Sequence, residues 1–120
     1  MMQAIADVSR LVQDWASAEE RWWLTCGPTL LGDELGSAVV ETRYNPLRFR
    51  LPGGWYTPDY LHILETGRMI FIEVKGSRQQ RNYRDARSKL RAAAEWYPFF
   101  AWYEVRINPR TEHFELEEIT

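Results

Sequence analysis

The sequence predicts an α/β (α+β) domain with a central mixed sheet of four to five strands flanked by helices. Three observations predict it. Apolar residues recur at helical spacing near the start of the chain and again over residues 77–96. Between residues 37 and 75 the period changes to two. A further strand-like run follows the second helical stretch. The 120 residues suit one core and not two, so residues 1–120 are expected to form a single domain. An apolar fraction of 45% excludes a disordered chain.

Residues 2–24 read as an N-terminal helix. Ile5, Val8, Leu11, Val12, Trp15 and Ala18 or Glu19 share one stripe, with Asp7, Arg10 and Asp14 opposite. Cys26-Gly27-Pro28 is expected to end it, and a short second helix over residues 29–35 would be closed by Gly36. Val39-Val40 and then Thr42 to Tyr44 suggest a strand, interrupted at Asn45-Pro46. Leu47, Phe49 and Leu51 alternate with Arg48 and Arg50, as in a half-buried strand with one cationic face. Pro52-Gly53-Gly54 turns the chain. Residues 55–64 read as one strand, with Pro58 marking an edge or an irregular start. After a turn at residues 65–68, residues 69–75 are the most strand-like run. Residues 77–96 read as a helix with Tyr83, Ala86, Leu90, Ala93, Ala94 and Tyr97 as its apolar stripe. Pro98 ends it, residues 99–107 form another strand, and residues 111–120 are an acidic strand or tail.

The counts exclude several classes of function. One cysteine, Cys26, makes no intrachain disulfide and no zinc cluster, and His62 and His113 lack ligand-like spacing. No apolar run approaches a membrane span, and Asp7 and Arg10 stand where a signal peptide would be apolar. No phosphate loop, nucleophile elbow or internal repeat is present. A cytoplasmic domain without membrane contact or small-molecule cofactor is expected. The net charge of −2 argues at first against nucleic acid. Its distribution is less ordinary, since thirteen of the fifteen basic residues are Arg and the only lysines are Lys75 and Lys89.

Two acids and a lysine stand out: Asp59 opening one strand, and Glu73 and Lys75 ending the next. Alternation sends Glu73 and Lys75 to one face, Ile72 and Val74 to the other. Whether Asp59 joins Glu73 depends on the hairpin. A two-residue Thr66-Gly67 turn sets Asp59 opposite Val74, on the wrong face. A three-residue loop centred on Thr66 sets it opposite Glu73, and a bulge near Pro58 would also repair the parity. Converging carboxylates are hard oxygen ligands suited to Mg²⁺ or Mn²⁺, and a nearby ammonium can orient a water and balance phosphate charge. On spacing alone a solvated cross-strand salt pair, worth at most about 1 kcal/mol, is the better reading. Position outweighs it: these groups crowd the end of the most hydrophobic strand, beside Gly76.

Tyr56-Thr57-Pro58-Asp59-Tyr60 and Ile72-Glu73-Val74-Lys75-Gly76, with thirteen residues between Asp59 and Glu73, resemble the signature of the PD-(D/E)XK nuclease superfamily. The likeness is to small phage-type endonucleases and Holliday-junction resolvases, and transposon end-cleaving endonucleases share the same wording. It covers roughly residues 17–107 and implies a restriction-endonuclease-like core. It also implies a Mg²⁺-dependent DNA endonuclease, with Mn²⁺ able to substitute. Asp59, Glu73 and the Val74 carbonyl would hold the metal while Lys75 positions or activates water. The family usually adds a glutamate from the first helix. Ser17-Ala18-Glu19-Glu20 favours Glu20, with Glu19, Glu34 and Glu41 as rivals. Structure-selective cleavage of branched DNA by a homodimer follows from the resemblance. End-nicking of a transposase type, a flap or single-strand nuclease, and an inactive binding module stay open as alternatives.

Arg78, Arg81, Arg84, Arg87, Lys89 and Arg91 crowd a stretch whose only acid is Asp85. Recurrence every three or four residues places most of them on one broad face, so Arg78, Arg81, Arg84 and Arg87 are expected to track DNA phosphates. Gln79 and Gln80 are expected to touch either a phosphate or a base near the active site, and Arg48 and Arg50 would extend the track. The paired aromatics are expected mainly to fill the core. Trp55, between a glycine turn and the site, is the exception, as a residue able to stack on an unpaired base.

Overall fold

The computed structural model describes residues 16–76 and 83–120. Helix α1 spans Ala18–Leu35, followed by strands β1 Val39–Tyr44, β2 Phe49–Leu51, β3 Gly54–Tyr56, β4 Tyr60–Leu64 and β5 Met69–Lys75. Helix α2 spans Tyr83–Trp96, and strands β6 Ala101–Asn108 and β7 His113–Ile119 close the chain. Five strands form a mixed sheet in the order β1-β4-β5-β6-β7, in which only β5 and β6 run parallel. The parallel step is made by α2, the crossover such a pair needs. Strands β2 and β3 form a separate two-stranded ribbon.

The sheet is covered on both faces, and alternation assigns each residue to one of them. Tyr60, Ile70, Ile72, Val74, Tyr103, Val105 and Ile107 pack with Trp23 and Leu31 of α1. Leu61, Phe71 and Trp102 pack with Leu90, Ala93 and Ala94 of α2 and with Phe49, Leu51 and Tyr56 of the ribbon. The helical stripe expected over residues 77–96 is the buried side of α2 at Leu90, Ala93 and Ala94.

Three boundaries differ from the expectations. Ser17 is extended (φ −68°, ψ 168°) and closes a capping box with Glu20, so a helix begins at Ala18 and none runs unbroken over residues 2–24. Residues 1–15 of that expected helix lie outside the described residues. Cys26-Gly27-Pro28 does not end the helix, which runs through it to Gly36 in the left-handed conformation (φ 68°). Gly27 is where α1 meets the fully buried Trp23, since a Cβ there would stand 2.3 Å from the indole ring. Packing of Trp23 and Leu31 against the sheet outweighs the backbone donor lost at Pro28. Residues 55–64 are not one strand. Thr57-Pro58-Asp59 carries the chain from the ribbon into the main sheet, because Pro58 cannot donate to a ladder. Residues 113–119 are a paired strand, β7, rather than a tail.

Candidate active site

The β4–β5 hairpin decides whether Asp59 meets Glu73. Its register pairs Tyr60 with Ile72, Leu61 with Phe71, His62 with Ile70 and Ile63 with Met69. This is the three-residue-loop register. Leu64 N–H donates to the Arg68 carbonyl (2.9 Å), Gly67 N–H to the Leu64 carbonyl (2.8 Å), and Gly67 takes φ 90°. The loop is thus a turn followed by a left-handed residue that glycine accepts without strain.

Continued by one pair, the register sets Asp59 beside Glu73. The Asp59 backbone is pinned from both sides: its N–H donates to the Ile72 carbonyl (3.0 Å) and its carbonyl accepts from Asn45 N–H (2.8 Å). Its Oδ2 accepts the Val74 N–H at 2.8 Å. Glu73 is buried, with one oxygen accepting from the Tyr56 hydroxyl (2.6 Å) and the other 3.3 Å from Lys75 Nζ. Asp59, Glu73, Lys75 and Tyr56 therefore converge at one end of the sheet. Val74, whose carbonyl is the expected peptide ligand, has its side chain in the opposite core, as alternation requires.

The electrostatics are those of crowded acids. Burial holds the Asp59 carboxyl well above its ordinary range, the charges of Glu73 and then Glu20 push it further, and the Val74 N–H acts the other way. Burial and Glu73 likewise raise the Tyr56 hydroxyl, keeping it a proton donor to the carboxylate. Glu20 reaches the same region from α1. Its backbone carbonyl accepts the Tyr60 hydroxyl (2.8 Å), and its charge joins burial in raising Tyr44 and Tyr60. The Ser17-x-x-Glu20 pattern also has a local cause, because Glu20 Oε1 accepts from the Ser17 hydroxyl at 3.1 Å in the capping box. Of its rivals, Glu34 lies in the last turn of α1, about 21 Å further along the helix axis. Glu41 pairs with Arg43 (2.8 Å). Glu19 shares the first turn of α1 with Glu20.

Among the described residues no three His, Cys, Asp or Glu side chains form a ready-made cation cage. The donor set nonetheless fits a hard cation that keeps part of its own water shell. Two converging carboxylates and a third acid nearby have, among the described residues, Lys75 paired with Glu73 to offset their charge.

The expected phosphate contacts divide. Arg48, Arg50 and Arg84 are exposed and form no ion pair with a described residue. Arg78, Gln79, Gln80 and Arg81 lie outside the described residues. Arg87 is committed elsewhere. Its guanidinium sits 2.6 Å from Glu117 and 3.2 Å from the buried Glu104, in a cluster with Arg106 and Glu115 that ties α2 to β6 and β7. Desolvated and already paired, it is removed from the phosphate track. Tyr56 is the contributor that the sequence reading overlooked. Its signal is the ribbon's alternation, which faces it inward across from Phe49.

Scans of protein-family models, curated proteins and solved structures return no match to this chain.

Proposed function

We propose that the chain is a divalent-metal-dependent DNA endonuclease of the PD-(D/E)XK type, acting on branched DNA as a homodimer with two such sites. The observation that supports it is the hairpin register that brings Asp59 to Glu73 and Lys75 at one sheet end, with the Asp59 carboxylate fastened to the Val74 N–H. Mg²⁺ would be held by Asp59, Glu73 and the Val74 carbonyl, with Glu20 closest to completing the set. When bound, it would supply Lewis-acid stabilisation of the phosphate charge and a lowered water pKa.

The side chains do the rest. Tyr56 and the Asp59–Val74 hydrogen bond hold the two carboxylates in place. Lys75, beside Glu73, orients the attacking water in line with the scissile bond and offsets charge on the phosphate. Arg48, Arg50 and Arg84 offer guanidinium forks to flanking phosphates, with Arg78, Gln79 and Arg81 expected to join them.

Alanine at Glu73 or Lys75 is expected to abolish Mg²⁺-dependent cleavage of a synthetic four-way junction and leave junction binding largely intact. Flapped and linear duplexes run alongside define the substrate. Undiminished cleavage by both variants would overturn the proposal.

A further inference from the structure

The β2–β3 ribbon carries two unlike faces. Phe49, Leu51 and Tyr56 point into the core, while Arg48, Arg50 and Trp55 point outward. Arg50 stands directly across from Trp55, and the guanidinium carbons of Arg48 and Arg50 lie 4.7 and 5.2 Å from the centroid of its ring. Trp55 remains 47% exposed. A large ring left in water between two cations that have no ion-pair partner among the described residues is a surface suited to a flat, electron-rich, anionic partner.

Beside the ring an open cleft of about 290 Å³ separates the ribbon from α2. Gly53, Gly54 and Trp55 form one wall, and Asp85, Ser88 and Lys89 the other. Gly54 takes φ 138°, which side-chain-bearing residues rarely adopt, and no atom lies within 4 Å of where a Cβ would stand on Gly53 or Gly54. Gly53 and Gly54 therefore add no side chain to this wall of the cleft. The same strand joins the patch to the site: Trp55 faces out, and Tyr56, the next residue, donates to Glu73.

We propose that this ribbon is a subsite for an unpaired nucleotide, with its base against Trp55 in the cleft and its flanking phosphates on Arg48 and Arg50. The inference rests on the DNA-cleaving reading of the adjacent site. Charge and shape choose the occupant. A paired, stacked base presents no free face to an indole, whereas an unpaired one does, and the backbone on either side of it is anionic. Branch points and bulges supply such bases.

The test measures binding in EDTA by fluorescence anisotropy, using the full chain carrying Glu73→Gln so that no cleavage intervenes. The probes are a labelled blunt duplex and the same duplex with a short unpaired bulge. Trp55→Ala is expected to weaken binding to the bulged probe about 5- to 100-fold and leave the blunt duplex unchanged, while Trp55→Phe retains most of the preference. Arg48→Ala and Arg50→Ala should each weaken both probes and lower the salt slope by about one. Equal loss on both probes, no loss on either, or displacement of the bulged probe by an acidic peptide and not by an unlabelled oligonucleotide would overturn the subsite. Thermal melting checks the fold, and if Trp55→Ala melts early then Trp55→Phe against Trp55→Leu decides. Cleavage by the unmodified chain in Mg²⁺ is scored separately. Bulge preference lost in Trp55→Ala without any cleavage leaves the subsite standing and removes the nuclease reading.

Discussion

Tyr56 contributes one hydroxyl, and through it the orientation of Glu73. Tyr56→Phe keeps the buried ring and deletes only the donor. It is expected to lower cleavage about 10- to 100-fold and to raise the Mg²⁺ concentration needed for half-maximal rate, read from metal titrations of both proteins. A fall in rate with no change in metal requirement would place the hydroxyl outside metal positioning. His62 is a buried histidine with a structural task. The Trp23 indole N–H donates to its Nε2 (2.9 Å), so Nδ1 carries the proton and donates to Thr42 Oγ1 (2.9 Å). Burial lowers its pKa from 6.5 to about 3. The folded ring therefore stays neutral while the unfolded one takes up a proton, so this contribution is complete above pH 6.5 and is lost as pH falls towards 3. The slope is roughly 1.4 kcal/mol per pH unit. Urea midpoints measured from pH 7 to 5 should fall accordingly and flatten in His62→Gln. Asp59, whose folded pKa is raised, works with the opposite sign, so Asp59→Asn should steepen the fall.

Helix α1 shows where local signals are overruled. Gly27-Pro28 reads as a stop, yet the helix continues because Trp23 and Leu31, both fully buried, anchor it to the sheet on either side. The glycine is required for contact rather than for a turn. Gly27→Ala would place a methyl 2.3 Å from the Trp23 ring. It is expected to cost about 2–3 kcal/mol despite alanine's better helix propensity, measured by chemical denaturation. A stabilised variant would show that the indole has room to move. Helix α2 was legible because its stripe has no such interruption. The split of residues 55–64 was signalled by Pro58, but its consequence was not: the ribbon becomes a second layer that closes over the α2 face of the sheet and delivers Tyr56.

Across the molecule the charges sort by environment. Acids gather at the end of β4 and β5, a paired cluster joins α2 to β6 and β7, and arginines with no ion-pair partner among the described residues stand on the ribbon. Among the described residues no helix is long and apolar enough to cross a membrane. Crowding Asp59, Glu73 and Glu20 costs stability that a divalent cation would return. Mg²⁺ or Mn²⁺ is therefore expected to raise the melting temperature by a few degrees, and Asp59→Asn to raise the metal-free value while abolishing that shift. Differential scanning fluorimetry with and without EDTA reads both, and a full metal shift in Asp59→Asn would remove it from the ligand set.

The α/β class, the buried stripe of α2, the alternation of β2 and β5 and the residues Asp59, Glu73 and Lys75 were all present in the order of residues. They depend on periods of 2 and 3.6 and on short-range chemistry that any reader of the chain can count. Tertiary structure alone decided the rest. It chose the loop register that sets Asp59 beside Glu73, because turn lengths differing by one residue exchange the faces of a strand. It drew Arg87 from a basic face into a pair with Glu104 and Glu117, since strands β6 and β7 bring those acids against α2 from distant positions. It turned Tyr56 inward and Trp55 outward, a choice made by which face of the ribbon found a core to cover. Net charge, first read as evidence against nucleic acid, is a sum that hides these placements.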